Sequence, residues 1–146
     1  MFTIGVASAT AFSMSFTSVS NLLLYLPATG ASGPLTNDVV NPTTSASGQF
    51  GGDVAALKLN IDFSDANLLT HASSTAFGDL TLCGVTPSSL NGSSVRSLLT
   101  AANNALGGVT SFSSDLGQLV SDVNVSFVNG APSTFAEDHL FLGSCP

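Results

Sequence analysis

The apolar residues of this chain change period partway along it, and that change limits the fold more than any other feature. Over the first sixteen residues they fall on alternate positions: Phe2, Ile4 and Val6 in one run, Phe12, Met14 and Phe16 in a second. Side chains two apart share one face of an extended strand, so residues 2–16 read as strand. From residue 50 the spacing turns helical. Phe50, Val54, Leu57 and Ile61 recur at intervals of three and four. Ala55, Ala56, Leu59 and Phe63 widen that stripe until the helix is apolar on most sides, with Asp53, Lys58 and Asp62 at its wet edge.

Two further helices repeat the pattern. Val95, Leu98, Leu99, Ala102, Ala105 and Leu106 define one, with Asn91 or Ser93 as its cap and Gly107 as a left-handed stop. Leu116, Leu119, Val120, Val123 and Phe127 define the next, ended by Gly130. Thr134 and Glu137 stand in capping-box spacing ahead of a last short helix to about Leu140. Leu80 and Leu82 alternate in "FGDLTLCG" and mark a second strand. Residues 27–48, rich in Pro, Gly, Ser, Thr and Asn, read as an ordered loop anchored by Leu35, Val39 and Val40. The expectation is an α+β fold, a mostly helical small domain with an apolar extended N-terminal strand segment and one or two further short strands. It divides into an extended segment, 1–17, and one globular domain, 18–146.

The strand segment shows no turn signal that would give it a hairpin partner nearby. An unpaired strand exposes backbone donors and acceptors, so it must pair elsewhere in its own fold or with another chain, and strand addition to a neighbour is the sharper of the two readings. Phe2, Ile4, Val6, Phe12, Met14 and Phe16 are therefore expected to form an assembly segment added to, or exchanged with, a neighbouring subunit.

Between the strand and the loop lies "NLLLYLPATG". Leu26-Pro27-Ala28-Thr29-Gly30 has the form of a sortase anchoring signal, LPxTG. Such a signal precedes an apolar span and a basic tail, whereas polar loop follows here. Cleavage at Thr29 would remove most of the domain. The better reading is a short buried helix through Leu22–Leu26, capped by Ser18 or Ser20, with Pro27 as its stop and Gly30 in a turn.

Surface chemistry narrows the partners. Of 146 residues only 8% are charged, against roughly 25% in ordinary globular proteins. The hydrophobic fraction is 44% and the formal net charge is −7, with Lys58 and Arg96 the only bases besides histidine. A pI near 4.1 argues against nucleic acid and against anionic lipid surfaces, both of which need basic patches. Low charge with high apolarity leaves little to oppose association with other protein surfaces. No apolar run is long enough for a membrane span. The first twenty residues are apolar but lack the basic start of a secretory signal; either a signal has been removed or the chain begins elsewhere than at a natural start.

Cys83 and Cys145 are the only cysteines. A bridge between them would close a loop of about 60 residues, worth roughly 4 kcal/mol on the chain-entropy model, and would hold the C-terminus. A disulfide fits an exported, acidic, Ser/Thr-rich chain.

Catalytic patterns are missing. His71 sits in a Ser/Thr loop, and Glu137, Asp138 and His139 are adjacent but diverge on a helix. Neither histidine has the partners of a zinc site. No G-x-S-x-G elbow occurs. Asp53, Asp62, Asp65 and Asp79 lack the spacing of a calcium loop, and the glycines of "SASGQFGGDV" lack the Lys-Ser/Thr of a phosphate loop. No catalytic, cofactor or metal residues are assigned, and the chain is read as a non-enzyme. Two Asn-x-Ser sequons occur, at Asn91 and Asn124.

"LLLYLPATGASGPLTNDVVNPTTSASGQFGGDVAALKLNIDF", "GDLTLCG", "LNGSSVRSLLTAANNALGG" and "LGQLVSDVNVSF" occur in that order between Leu22 and Leu140. Together they resemble a recurring, uncharacterised module of secreted bacterial cell-surface and extracellular proteins. The resemblance implies an extracellular or cell-surface location and supplies no catalytic residues. The function expected is a structural extracellular protein that assembles with copies of itself into a filament or matrix. The alternative is a monomeric adhesion or glycan-binding module, weakened by the lack of Trp and by Tyr25 being the sole tyrosine.

Overall fold

The structure is a computed structural model that describes residues 1–70 and 73–146. Its fold is α+β. Strands β1 (Phe2–Ser8) and β2 (Ala11–Phe16) come first, followed by helix α1 (Val19–Tyr25), strand β3 (Val39–Val40) and helix α2 (Gly48–Asp65). Strand β4 (Thr81–Leu82), helices α3 (Val95–Leu106), α4 (Ser114–Asn124) and α5 (Thr134–His139), and strand β5 (Leu140–Phe141) complete the order.

The N-terminal segment does have a local partner, contrary to the expectation from sequence. β1 and β2 form an antiparallel hairpin, with Phe2 opposite Phe16 and Ile4 opposite Met14. Its turn is Ala9-Thr10, which carries none of the Gly, Asn or Asp that mark tight hairpins. An irregularity between Gly5 and Ser8 shifts the register there instead. β3 joins parallel to β2, which makes a three-stranded sheet.

Side chains hold β3 in place. Asp38 Oδ1 accepts from the backbone N–H of Ser13 at 2.7 Å and from its hydroxyl at 3.2 Å. Asn41 Oδ1 accepts from the Thr17 N–H at 2.8 Å. At the other edge, Asn103 Oδ1 accepts from Gly5 N–H at 2.8 Å. The end of α3 lies so close to the hairpin that a Cβ on Gly107 would sit 2.8 Å from the Phe12 carbonyl oxygen and 2.9 Å from Val6 N. Close approach explains that glycine. Its φ of −80° is not left-handed; Gly108, at φ +81°, makes the turn.

α2 is the core helix. Phe50, Val54, Ala55 and Leu57 are fully buried and pack with Ile4, Met14, Phe16, Val95, Leu98, Leu106 and Val120. Its wet edge is as expected at Lys58, which bridges Asp62 at 2.9 Å and lies 5.4 Å from the Phe2 ring centroid.

The caps shift by a residue or so from their expected positions. Ser94 caps α3 by accepting from Ser97 N–H, and Ser133 rather than Thr134 caps α5 by accepting from Ala136 N–H. α4 stops at Asn124, short of Phe127, and Ser126 donates to the Asp122 carbonyl at 2.9 Å. A hydroxyl that bonds back to the preceding turn competes with helix continuation.

β4 pairs antiparallel with β5, and Cys83 and Cys145 form a disulfide with a Cα–Cα distance of 5.6 Å. The two together fasten α5 and the C-terminal residues to the body. No helix among the described residues is long and apolar enough to cross a membrane.

Candidate functional site

The six residues expected to mediate assembly divide in two. Ile4, Met14 and Phe16 are buried in the chain's own core, and Phe2 packs against that core with its ring 6.2 Å from that of Phe16. Val6 is half-buried beneath the end of α3, and Phe12 alone is exposed. Within one chain the apolar face of this segment thus serves the fold.

The unusual surface lies just after it. α1 reads Val-Ser-Asn-Leu-Leu-Leu-Tyr. Leu22 and Tyr25 point inward; Tyr25 bonds Ser45 through its hydroxyl at 3.2 Å and packs on Phe16 at 5.3 Å. Val19, Leu23 and Leu24 point outward and are 72%, 66% and 69% exposed. Leu22–Leu26 is therefore not the buried helix expected from sequence. It is apolar on both faces and buries one. A helix that is apolar all round is ordinarily buried all round. Val40, expected to anchor the loop, is also exposed.

Immediately after α1 the chain crosses α2. Ala28 lies over Gly52 so closely that a Cβ there would sit 2.7 Å from the Ala28 Cβ. Gln49 N–H donates to the Gly30 carbonyl at 3.1 Å. The LPATG residues are thus docked on α2. Between Leu26, Pro27 and Ala28 on one side and Gln49, Gly52, Asp53 and Ala56 on the other is a shallow hollow of about 390 Å³. Among the described residues Asp53 is the only charged one that lines it. Burial pushes the Asp53 carboxyl above its ordinary value, partly offset by a hydrogen bond from Gln49.

Charge is unevenly placed. Residues 1–37 carry no Asp, Glu, Lys or Arg, and the first charged side chain is Asp38. Both bases are paired elsewhere. Arg96 grips Asp65 with two nitrogens at 2.6 and 2.7 Å and Asp79 at 2.7 Å, which holds the Asp65 carboxyl below the usual range. The acids of α4 and α5, namely Asp115, Asp122, Glu137 and Asp138, lie outside both of these clusters.

A second hollow, of about 250 Å³, lies between α4, α5 and the loop 84–86. Asp115, Gln118 and Asp122 line one wall, and Phe135 and His139 the other, their rings 4.8 Å apart. His139 Nδ1 donates to the Cys83 carbonyl at 2.8 Å, so that nitrogen is a structural tie. His71 lies outside the described residues. Among the described residues no group of three His, Cys, Asp or Glu can hold a metal ion. Nor, among the described residues, does any buried side-chain polar atom lack a partner. Of the sequons, Asn124 has its amide engaged with Asn60 and the Asp53 carbonyl, while Asn91 sits in an exposed turn and accepts from Val85 N–H.

Comparison with family models, curated proteins and solved structures finds no match.

One feature of this surface differs from its reading in the sequence. Three consecutive leucines in a seven-residue helix cannot all face inward, because successive residues are about 100° apart. The hollow left a fainter mark in the small residues Gly52 and Ala56 on the helix face beneath Ala28.

Proposed function

We propose that this chain is an exported structural protein that associates with copies of itself. The observation that carries this reading is the charge-free first quarter of the chain, which ends in a helix with Val19, Leu23 and Leu24 in solvent. On a chain of net charge −7, most faces repel their own copies. The α1 face does not. We place the contact on α1 rather than on residues 2–16, whose apolar side chains mostly pack within the chain itself. Export is supported by the Cys83–Cys145 disulfide, which persists in oxidising compartments. Static and dynamic light scattering on the oxidised protein test the reading. Mass that rises reversibly with concentration is expected. A monomer mass at every concentration would contradict it.

The hollow between α4 and α5 favours a second reading, an adhesion or ligand-binding module. Its carboxylates and the tilted Phe135 and His139 rings suit a polar ligand such as a glycan. Glycan-array binding that is lost in Asp122→Ala, while the protein stays monomeric, would favour it over the first.

A further inference from the structure

We infer that Cys145 is a thiol-exchange site: in the folded protein an external thiol attacks its sulfur, takes the place of Cys83 in the disulfide and frees residues 142–146. The inference goes beyond the self-association reading and does not depend on it.

The two halves of the bridge differ in access. Cys83 follows β4 and is 6% exposed, whereas Cys145 follows β5 and is exposed. Exchange begins when a thiolate reaches a disulfide sulfur, so access decides which of the two is attacked. Here that sulfur belongs to Cys145.

The two halves also differ in what else holds them. The Cys83 N–H donates to the His139 carbonyl at 2.9 Å, and the Cys83 carbonyl accepts from His139 Nδ1 at 2.8 Å. Neither bond passes through the bridge, so Cys83 stays in place when its sulfur leaves. Beyond β5 the chain is held differently. Leu142, Gly143, Ser144 and Pro146 are exposed, and none of them makes a hydrogen bond to any described residue. The disulfide is the bond that ties this segment to the body, and it is also the bond an external thiol reaches.

The step balances without an oxidant or a reductant. The attacking thiolate forms a new S–S bond with Cys145 Sγ as the Cys145–Cys83 bond breaks. Cys83 leaves as thiolate and takes up the proton that the external thiol lost. One disulfide is consumed and one is formed, so the exchange runs in an oxidising compartment as well as in a reducing one. A dithiol carries it a second round. Its other thiol displaces Cys145, both cysteines end reduced, and the dithiol becomes a cyclic disulfide.

The experiment uses the wild-type chain without denaturant. Exchange with 2-mercaptoethanol, quenched in acid and mapped by peptide mass, is expected to place the adduct on Cys145 over Cys83 by about 10-fold or more. Reduction by dithiothreitol should run at a rate proportional to its concentration while the helical circular dichroism is kept. Amide order parameters should then fall in residues 142–145 and hold in α2. An adduct on Cys83 in equal or greater amount overturns the assignment. A reduction rate that does not depend on dithiothreitol concentration, or reduction that starts only once urea unfolds the chain, means that the bridge opens only with the whole fold, and overturns it too. A segment 142–145 that stays as ordered after reduction as before overturns its release.

Discussion

Replacing Cys83 and Cys145 together by alanine tests how the C-terminal part of the chain is held. The bridge joins residues 62 apart. On the chain-entropy relation, closing such a loop removes about 14 cal/mol/K from the unfolded state, or about 4.3 kcal/mol at 25 °C. Beside the bridge, the hydrogen bond from His139 Nδ1 to the Cys83 carbonyl and the packing of Phe135 and Leu140 against the core also fasten this part. β4 and β5 pair over two residues each, and of α5 only Ala136 is fully buried. Loop closure acts on the unfolded chain and leaves these contacts in place, so the loss should approach the entropic value. Urea unfolding followed by circular dichroism is the assay. With a slope of about 2 kcal/mol per molar, the midpoint should fall by roughly 2 M. Amide exchange should also speed up first in residues 131–146, ahead of α2. A loss under about 1 kcal/mol, or exchange that speeds up uniformly, would show that β5 and α5 hold by packing alone and that the loop-closure argument is wrong here.

Three other perturbations follow from the same structure. Arg96→Ala breaks the bidentate pair with Asp65 and should cost about 1 kcal/mol near neutrality, since both groups are substantially exposed. Arg96 lowers the folded-state value of Asp65 below the ordinary 3.8, so this stability is present above the unfolded value and is lost as pH falls through the folded one. The difference between wild type and variant in thermal melts should vanish in strong acid and stay constant above about pH 5. Asp53→Asn should act in the opposite sense. Burial raises that carboxyl above 3.8, so its charge weakens the fold above the folded value and stops doing so once both states are protonated. The variant should gain roughly 0.5 kcal/mol near neutrality and nothing in acid, read by the same melts. Asn103→Ala leaves the Gly5 N–H without its acceptor and should cost about 1–2 kcal/mol in urea unfolding, with faster exchange in β1.

The helices were legible because their burial follows period. Val95, Leu98, Ala102, Ala105 and Leu106, and Leu116, Leu119, Val120 and Val123, are the residues that bury on α3 and α4. The disulfide was legible from two cysteines and their placement. β3 and β5 were not, because two-residue strands leave no periodic trace and exist through distant bonds, such as Asp38 to Ser13 and the bridge beside β4. The β1–β2 hairpin escaped notice because Ala9-Thr10 is an unmarked turn. The apolar side chains of residues 2–16 mostly pack within the chain, and a seven-residue surface helix cannot bury every side chain of "LLLYL".

Self-association through the uncharged α1 face is tested most directly by the amide spectrum of the labelled protein as its concentration is raised. Concentration-dependent shifts are expected in residues 19–28 of α1 and its exit, and in 49–56 on the facing turn of α2, with α4 and α5 unmoved. A spectrum that does not change with concentration, or shifts that map to residues 2–16 or to the α4–α5 hollow, would contradict it.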